Sequence, residues 1–338
     1  MIVGFIIVLV ASFLLGTFGL GMKYSKPLAW EAFWSVHAVI GMVLLPTTIA
    51  LLVVPDLWQS IGVVPGEVLF KAALFGFIWG IGGMLFGMSV QYVGVSLTYG
   101  VVMGLCGALG GVIPLFQMED FAAKPGFPYI MLGVAVMLVG VGIVALAGIQ
   151  REKLVATSGA AVEGVKSGKD FRKGIVIVIA SGIFSAFINI GFANAAPVAE
   201  SAIASGAHPL ASVFASWVVV LWGGVSFSLI YAAVTLTKNK TWHTFTLPKT
   251  GNAYKWGVLT AVLWFAFIGI YGVGTAKMGE LGAVIGWPVC VGLSLIFSNY
   301  WAIRSGEWNG AEKPKKILFL GVGILIGATL ILAFANTI

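Results

Sequence analysis

LFGFIWGIGGMLFGMSVQYVGVS, residues 74–96, and LTAVLWFAFIGIYGVGTAKMGEL, residues 259–281, decide how this chain is built. Trp79, Gly87 and Gly94 of the first stretch reappear as Trp264, Gly272 and Gly279 of the second, each displaced by 185 residues. Each stretch is apolar and long enough to cross a bilayer core, which takes about 20 residues of helix. One membrane segment is therefore written twice. Duplicated halves are a signature of secondary transporters, whose binding sites form where the halves meet.

Composition points the same way. Hydrophobic residues make up 59% of the 338 and charged residues 9%, too little charge to cover a soluble surface of this size. The chain reads as an all-α polytopic membrane protein. Its first apolar run starts at Ile2 without a basic leader and is taken as a retained helix. Ten transmembrane helices are expected near 2–20, 29–53, 67–90, 95–116, 128–149, 174–195, 209–236, 255–275, 281–302 and 316–336.

Lysine and arginine then fall unevenly. The connections 1–2, 5–6, 7–8 and 9–10 hold sixteen of the nineteen; only Lys71, Lys124 and Lys277 lie on the other side. That bias puts the first group in the cytoplasm and both termini outside. The net charge of +7 is thus an orientation signal, and the expected partner is the lipid bilayer, not nucleic acid. The polar stretch 150–173 is expected as a cytoplasmic linker between a first repeat, 1–149, and a second, 174–338.

Further offsets extend the repeat. Leu132-Gly133-Val134 matches Leu320-Gly321-Val322, and Ala11-Ser12 matches Ala180-Ser181 at a shift of 169 that also carries Glu31 onto Glu200. Five helices per half is an odd number, so two inverted five-helix repeats follow from counting. Glycine pairs such as Gly76/Gly80 and Gly83/Gly87 let helix backbones approach closely.

No nucleotide loop, metal-ligand cluster or nucleophile motif is present, so the chain does not read as an enzyme and no metal is expected. Cys106 and Cys290 sit in apolar runs without ligand spacing and read as packing residues. What remains are polar groups placed where polarity is expensive. Glu31 opens the second helix, and Trp30, Trp34 and His37 share its face at three- and four-residue steps. A carboxyl held between aromatic rings could exchange a proton, and Glu31 with His37 forms the proton-coupling set. Glu31 as a first-turn carboxylate beside an interfacial tryptophan belt is the competing reading.

Asn189 lies in an apolar helix and needs partners, which a sugar hydroxyl or a neighbouring helix could supply; for Asn194 a neighbouring helix is favoured. Trp79, Trp264 and Trp287 fall close to the middle of their helices, where an indole either packs in the core or opens onto a cavity that could take a pyranose face. Tyr99 and Tyr271 offer hydroxyls, Gln91 a weaker amide, and Pro288 frees backbone carbonyls beside Trp287. Glu67 and Glu280 begin helices and read as capping groups.

At these residues the chain resembles the L-rhamnose–proton symporter family of the drug/metabolite transporter superfamily. The similarity runs through residues 30–36 (WEAFWSV), 55–58 (PDLW), 74–82 (LFGFIWGIG), 91–96 (QYVGVS), 140–144 (GVGIV), 181–186 (SGIFSA), 194–196 (NAA) and 307–309 (EWN). It implies proton-driven uptake of a 6-deoxyhexose across the bacterial inner membrane, with the proton as coupling ion in place of a cofactor; the outward termini read from the charge bias are then periplasmic. By analogy with the superfamily it implies a central cavity lined by helices 1, 3, 4, 6, 8 and 9. Trp34, Trp79, Gln91, Tyr99, Asn189, Trp264, Tyr271 and Trp287 are the substrate-binding set. Family members carry a basic residue where Gln91 stands and a Tyr-Asp pair ahead of the helix-nine tryptophan. Here that stretch reads 282–287 (GAVIGW). The departure makes Glu31 the stronger proton candidate and opens the substrate to a related deoxy-sugar. Export of amino acids or small amphiphilic metabolites is the alternative activity. The sequence sets no oligomeric state; a monomer would serve.

Overall fold

The computed structural model describes residues 2–93, 95–157, 168–306 and 308–338. Among these residues there is no strand, and ten helices are long and apolar enough to cross a membrane. They are α1 (Ile2–Met22), α2 (Trp30–Val53), α3 (Gly66–Val90), α4 (Leu97–Phe116), α5 (Phe127–Leu154), α6 (Asp170–Ala204), α7 (Val213–Asn239), α8 (Gly251–Met278), α9 (Gly282–Arg304) and α10 (Glu312–Ala335). Gly94 and Glu307, named above, and residues 158–167 of the polar stretch lie outside the described residues.

Two spans differ from expectation in ways that matter for the site. Helix α6 continues to Ala204 instead of ending near 195, with breaks at Ala186 and Ala195. The second break precedes Pro197, whose missing N–H interrupts the ladder there. Ser216 Oγ of α7 donates to the Ala195 carbonyl at 2.8 Å, tying α7 to this break. Helix α2 contains a π-helical segment, Val39–Leu44, directly ahead of Pro46. The polar stretch 150–173 is helical at both ends, to Thr157 and from Gly168, because its Arg, Glu, Lys and Leu residues are good helix formers beyond the hydrocarbon.

Packing follows a pattern. α1 lies on α8 and α9, while α6 lies on α3 and α4. α3 packs on α7 and α8 on α2; α4 packs on α5 and α9 on α10. Each pair becomes the other when five is added to its helix numbers. The atomic contacts repeat as well. A Cβ on Gly133 would lie 2.6 Å from Leu332 Cγ, and one on Gly321 would lie 2.8 Å from Val144 Cγ2. A single offset of 188 carries Gly133 to Gly321 and Val144 to Leu332, so the contact is reciprocal, as in a two-fold interface.

Contacts between connections sort the molecule into two ends. Tyr24 stacks on Trp256 at 4.5 Å, and Thr241 donates to Glu31 at 2.6 Å, joining the α1–α2 and α7–α8 connections at the basic end. At the opposite end Lys124 pairs with Glu280 at 2.8 Å, and Ser201 donates to the Ser60 carbonyl at 2.6 Å.

Close approach at glycine holds the bundle together. A Cβ on Gly224 would lie 2.7 Å from Trp79 Cε3, whereas one on Gly83 would meet nothing within 4 Å. Gly224→Val is therefore expected to destabilise by about 1–3 kcal/mol through overpacking, and Gly83→Ala to stay within about 0.5 kcal/mol. Thermal unfolding in detergent, run on both variants, checks the ordering.

Candidate functional site

Trp79 of α3 and Trp264 of α8 stack face to face, ring centroids 5.7 Å apart and planes 14° from parallel. They are the two copies of the repeated tryptophan. Each is backed by a glycine of a neighbouring helix. Gly224 of α7 packs on Trp79 and Gly76, and Gly41, inside the π-helical segment of α2, packs on Trp264 and Ala261. The offset of 185 that carries Trp79 to Trp264 also carries Gly76 to Ala261. The stack bridges two helices whose backbones are not close neighbours among the described residues.

An aromatic ladder runs from the stack toward the basic end. The His37 ring meets Trp264 edge-on at 5.8 Å and stacks on Trp34 at 4.9 Å, and Trp34 stacks on Trp30 at 5.9 Å. His37 is fully buried, and neither ring nitrogen has a hydrogen-bond partner. Buried polar atoms are almost always paired, so an imidazole left unpaired among tryptophans is an exception that calls for a role.

On the other side of the stack Phe267 connects to a closed polar knot. Its ring lies 6.5 Å from Trp264, 6.4 Å from Tyr271 and 6.3 Å from Trp287. The Tyr271 hydroxyl donates to Asn189 Oδ1 at 2.6 Å. Asn189 Nδ2 donates to the carbonyls of Gly110 at 2.7 Å and Ala283 at 3.0 Å. Trp287 Nε1 donates to the Cys106 carbonyl at 3.1 Å. Local sequence explains the acceptor: Pro114, four residues after Gly110, has no N–H for that carbonyl, leaving it free for Asn189. Asn189 sits between the two breaks of α6, which places its amide against α4, α8 and α9 at once.

The remaining sequence expectations fall as follows. Glu31 is not enclosed by aromatic rings; its Oε1 accepts from Thr241 Oγ1 at 2.6 Å and Asn239 Nδ2 at 3.1 Å, which ties the start of α2 to the α7–α8 connection. Glu200 is exposed near the far end of α6 and is no structural counterpart of Glu31. Trp287 lies near the start of α9, not its middle, yet is buried. Tyr99 packs edge-on against Phe86 at 4.9 Å, apart from the stack. The Gln91 side chain lies outside the described residues. Asn194 bonds Gln117 and the Ile190 carbonyl, and Glu280 pairs with Lys124.

Sequence reasoning missed Trp217 of α7. It is fully buried, stacks on Phe192 at 4.2 Å and tilts toward Tyr271 at 6.3 Å. A signal existed: an offset of 183 carries Ala32, Trp34, Val36 and Gly41 onto Ala215, Trp217, Val219 and Gly224.

A stacked tryptophan pair thus stands where the two matched helix sets meet, with a buried unpaired imidazole against it. A model of the L-rhamnose-proton symport protein (RhaT) family matches residues 1–337. The chain belongs to that family. This is a family of transporters, not enzymes, and the chain is a multi-pass membrane protein. It is 28% identical over 314 residues to the L-rhamnose-proton symporter of Yersinia pestis (strain Pestoides F), covering 90% of this chain and 89% of that one. The same figures hold for the L-rhamnose-proton symporter of Yersinia pseudotuberculosis serotype O:1b (strain IP 31758). One crystal structure superposes with a TM-score of 0.61 at 14% identity, covering 99% of this chain and 97% of its own, and so shares the fold.

Removing the Asn189 amide would strand the Tyr271 hydroxyl and the Gly110 carbonyl in a buried interior. Asn189→Leu is expected to lower stability by about 1–3 kcal/mol and Tyr271→Phe by about 1 kcal/mol. Thermal melts of the purified variants measure both, and an Asn189→Leu melt equal to wild type would refute the knot's structural role.

Proposed function

We propose that the protein couples inward proton flow to uptake of L-rhamnose or a related deoxy-sugar, by alternating access between two inverted five-helix halves. The observation that carries this reading is the family match over the whole chain. The reciprocal contacts of α5 with α10, and the two glycine-backed tryptophans, support the inverted repeat. The basic residues support placing the basic end in the cytoplasm and both termini in the periplasm of a bacterial inner membrane. The exporter alternative gains nothing from the family match.

The geometry supports the following assignment of roles. Trp34, partly exposed, offers apolar ring surface suited to the C–H-rich face of a deoxy-pyranose, and the Trp79–Trp264 stack, backed by Gly224 and Gly41, forms the wall beside it. Asn189, Tyr271 and Trp287 have their polar atoms committed to neighbouring helices and are buried, so they set the shape of the wall behind the site. Tyr99, near the start of α4 at the basic end, is assigned to the approach to the site. His37 is assigned the coupling proton because its nitrogens are unpaired beside Trp264; Glu31, already bonded by Thr241 and Asn239, latches the basic end. One charge moving across the membrane is worth about 2.3 kcal/mol per 100 mV, so one proton sustains about 50-fold accumulation of a neutral sugar.

Radiolabelled L-rhamnose uptake into proteoliposomes tests the reading. An imposed inward proton gradient should raise uptake and a protonophore should abolish the gain. His37→Phe should keep counterflow exchange while losing uphill accumulation. Gradient-driven accumulation by His37→Phe at the wild-type level would move the proton elsewhere.

A further inference from the structure

The two halves match in sequence but are not arranged alike, and one of the differences falls on a repeated tryptophan–glycine pair. At the opposite end α7 packs on α8: Trp217 lies over Gly272, where a Cβ would sit 2.7 Å from Trp217 Nε1. The offsets of 183 and 185 carry the same pair in the first half to Trp34 of α2 and Gly87 of α3. There the two residues do not meet. Gly87 is exposed with nothing within 4 Å, Trp34 is partly exposed and rests on His37, and α2 and α3 are not close neighbours among the described residues.

We infer that Trp217 on Gly272 is a closed periplasmic gate, and that its counterpart, Trp34 on Gly87, forms the cytoplasmic gate when the protein turns outward. This rests on the transporter reading above. The structure is then the inward-open state. Closing α2 onto α3 brings Trp34 off His37 and onto Gly87, while α7 leaves α8 and uncovers Gly272. Each half of the exchange is an indole seating on, or leaving, a glycine of the same helix pair. The two states therefore stay close in energy, and a bound ligand can shift their balance. The Trp79–Trp264 stack, made of residues that are each other's counterparts, can remain in place during the exchange. The indole N–H of Trp217 has no acceptor in the closed gate, so nothing polar has to be broken for it to open. Glycine is required at both sites for the same reason: each must receive a flat indole at backbone distance.

Two glycine wedges test this in proteoliposomes, in a background carrying Cys106→Ala and Cys290→Ala and a single reporter, Ile268→Cys. Ile268 is buried beside the closed gate and is the counterpart of the exposed Gly83. Gly87→Val adds a side chain where there is open space, so it should fold as wild type but keep the cytoplasmic gate from closing. Gly272→Val meets Trp217 and should keep the periplasmic gate open. Both variants should lose exchange by about tenfold or more, since each blocks half the cycle. Labelling of the reporter by an impermeant maleimide added outside should fall to background in Gly87→Val and rise several-fold in Gly272→Val. Wild-type exchange by Gly87→Val, or reporter labelling that neither wedge alters, would overturn the gate assignment. If Gly272→Val does not fold, Gly87→Val decides alone. The labelling needs no sugar, so opposite shifts in a protein that fails to take up L-rhamnose would uphold the gates and sink only the substrate reading.

Discussion

The stack of Trp79 on Trp264 is the constraint around which the other parts are arranged. Two indoles can lie 5.7 Å apart only if their helices are held at indole width, and only if something small supports each ring from behind. Gly224 and Gly41 are those supports, and a side chain at Gly224 would drive into Trp79. The π-helical segment that carries Gly41 belongs to the same arrangement, since it sets the register in which α2 reaches Trp264. From the stack, the ladder through His37 and Trp34 leads to one end, and the Phe267–Tyr271–Trp287 cluster leads toward the other.

Polar groups in the bilayer interior explain the next layer. Asn189 would be costly alone, yet its amide and carbonyl are all engaged by Gly110, Ala283 and Tyr271. Proline supplies part of the solution by freeing the Gly110 carbonyl, so a residue that weakens one helix ties four together. Trp217 Nε1 and Thr260 Oγ1 also go unpaired, but of these groups only the His37 ring can take up a proton near neutral pH, which is why the proton is assigned to it and not to Glu31. Helix-period spacing made Glu31 look enclosed by Trp30 and Trp34. The chain before α2 instead turns the carboxylate toward Asn239 and Thr241, residues some 210 positions away that no local pattern could have named.

The repeat was legible where its offset was constant over a whole helix, as at 185 for α3 and α8 and 188 for α5 and α10. It was misread at the first connection. An offset of 169 fits α1 with α6, but the helical segment Ala196–Ala204 adds length before α7, so 183 is the offset that fits α2 with α7. Carrying 169 forward paired Glu31 with the exposed Glu200 and hid the match of Trp34 with Trp217. Trp287 was placed mid-helix because apolar runs do not mark where α9 starts; the turn at Gly279, with φ of +82°, does.

By itself the sequence determined the ten-helix membrane fold and the basic end, and it carried the recurrence from which two halves are inferred. These depend on hydrophobic length, charge placement and recurrence, which are local or additive along the chain. It also put Trp79, Trp264, Asn189, Tyr271 and His37 forward, because polar and aromatic groups stand out in apolar helices. Only the tertiary structure decided which of these meet and which atoms stay unpaired. The duplicated tryptophan–glycine motif foretold two equal helices. It could not foretell that Gly272 is covered by an indole while Gly87 lies open, because one sequence specifies both arrangements and the choice between them is made by packing across the bundle.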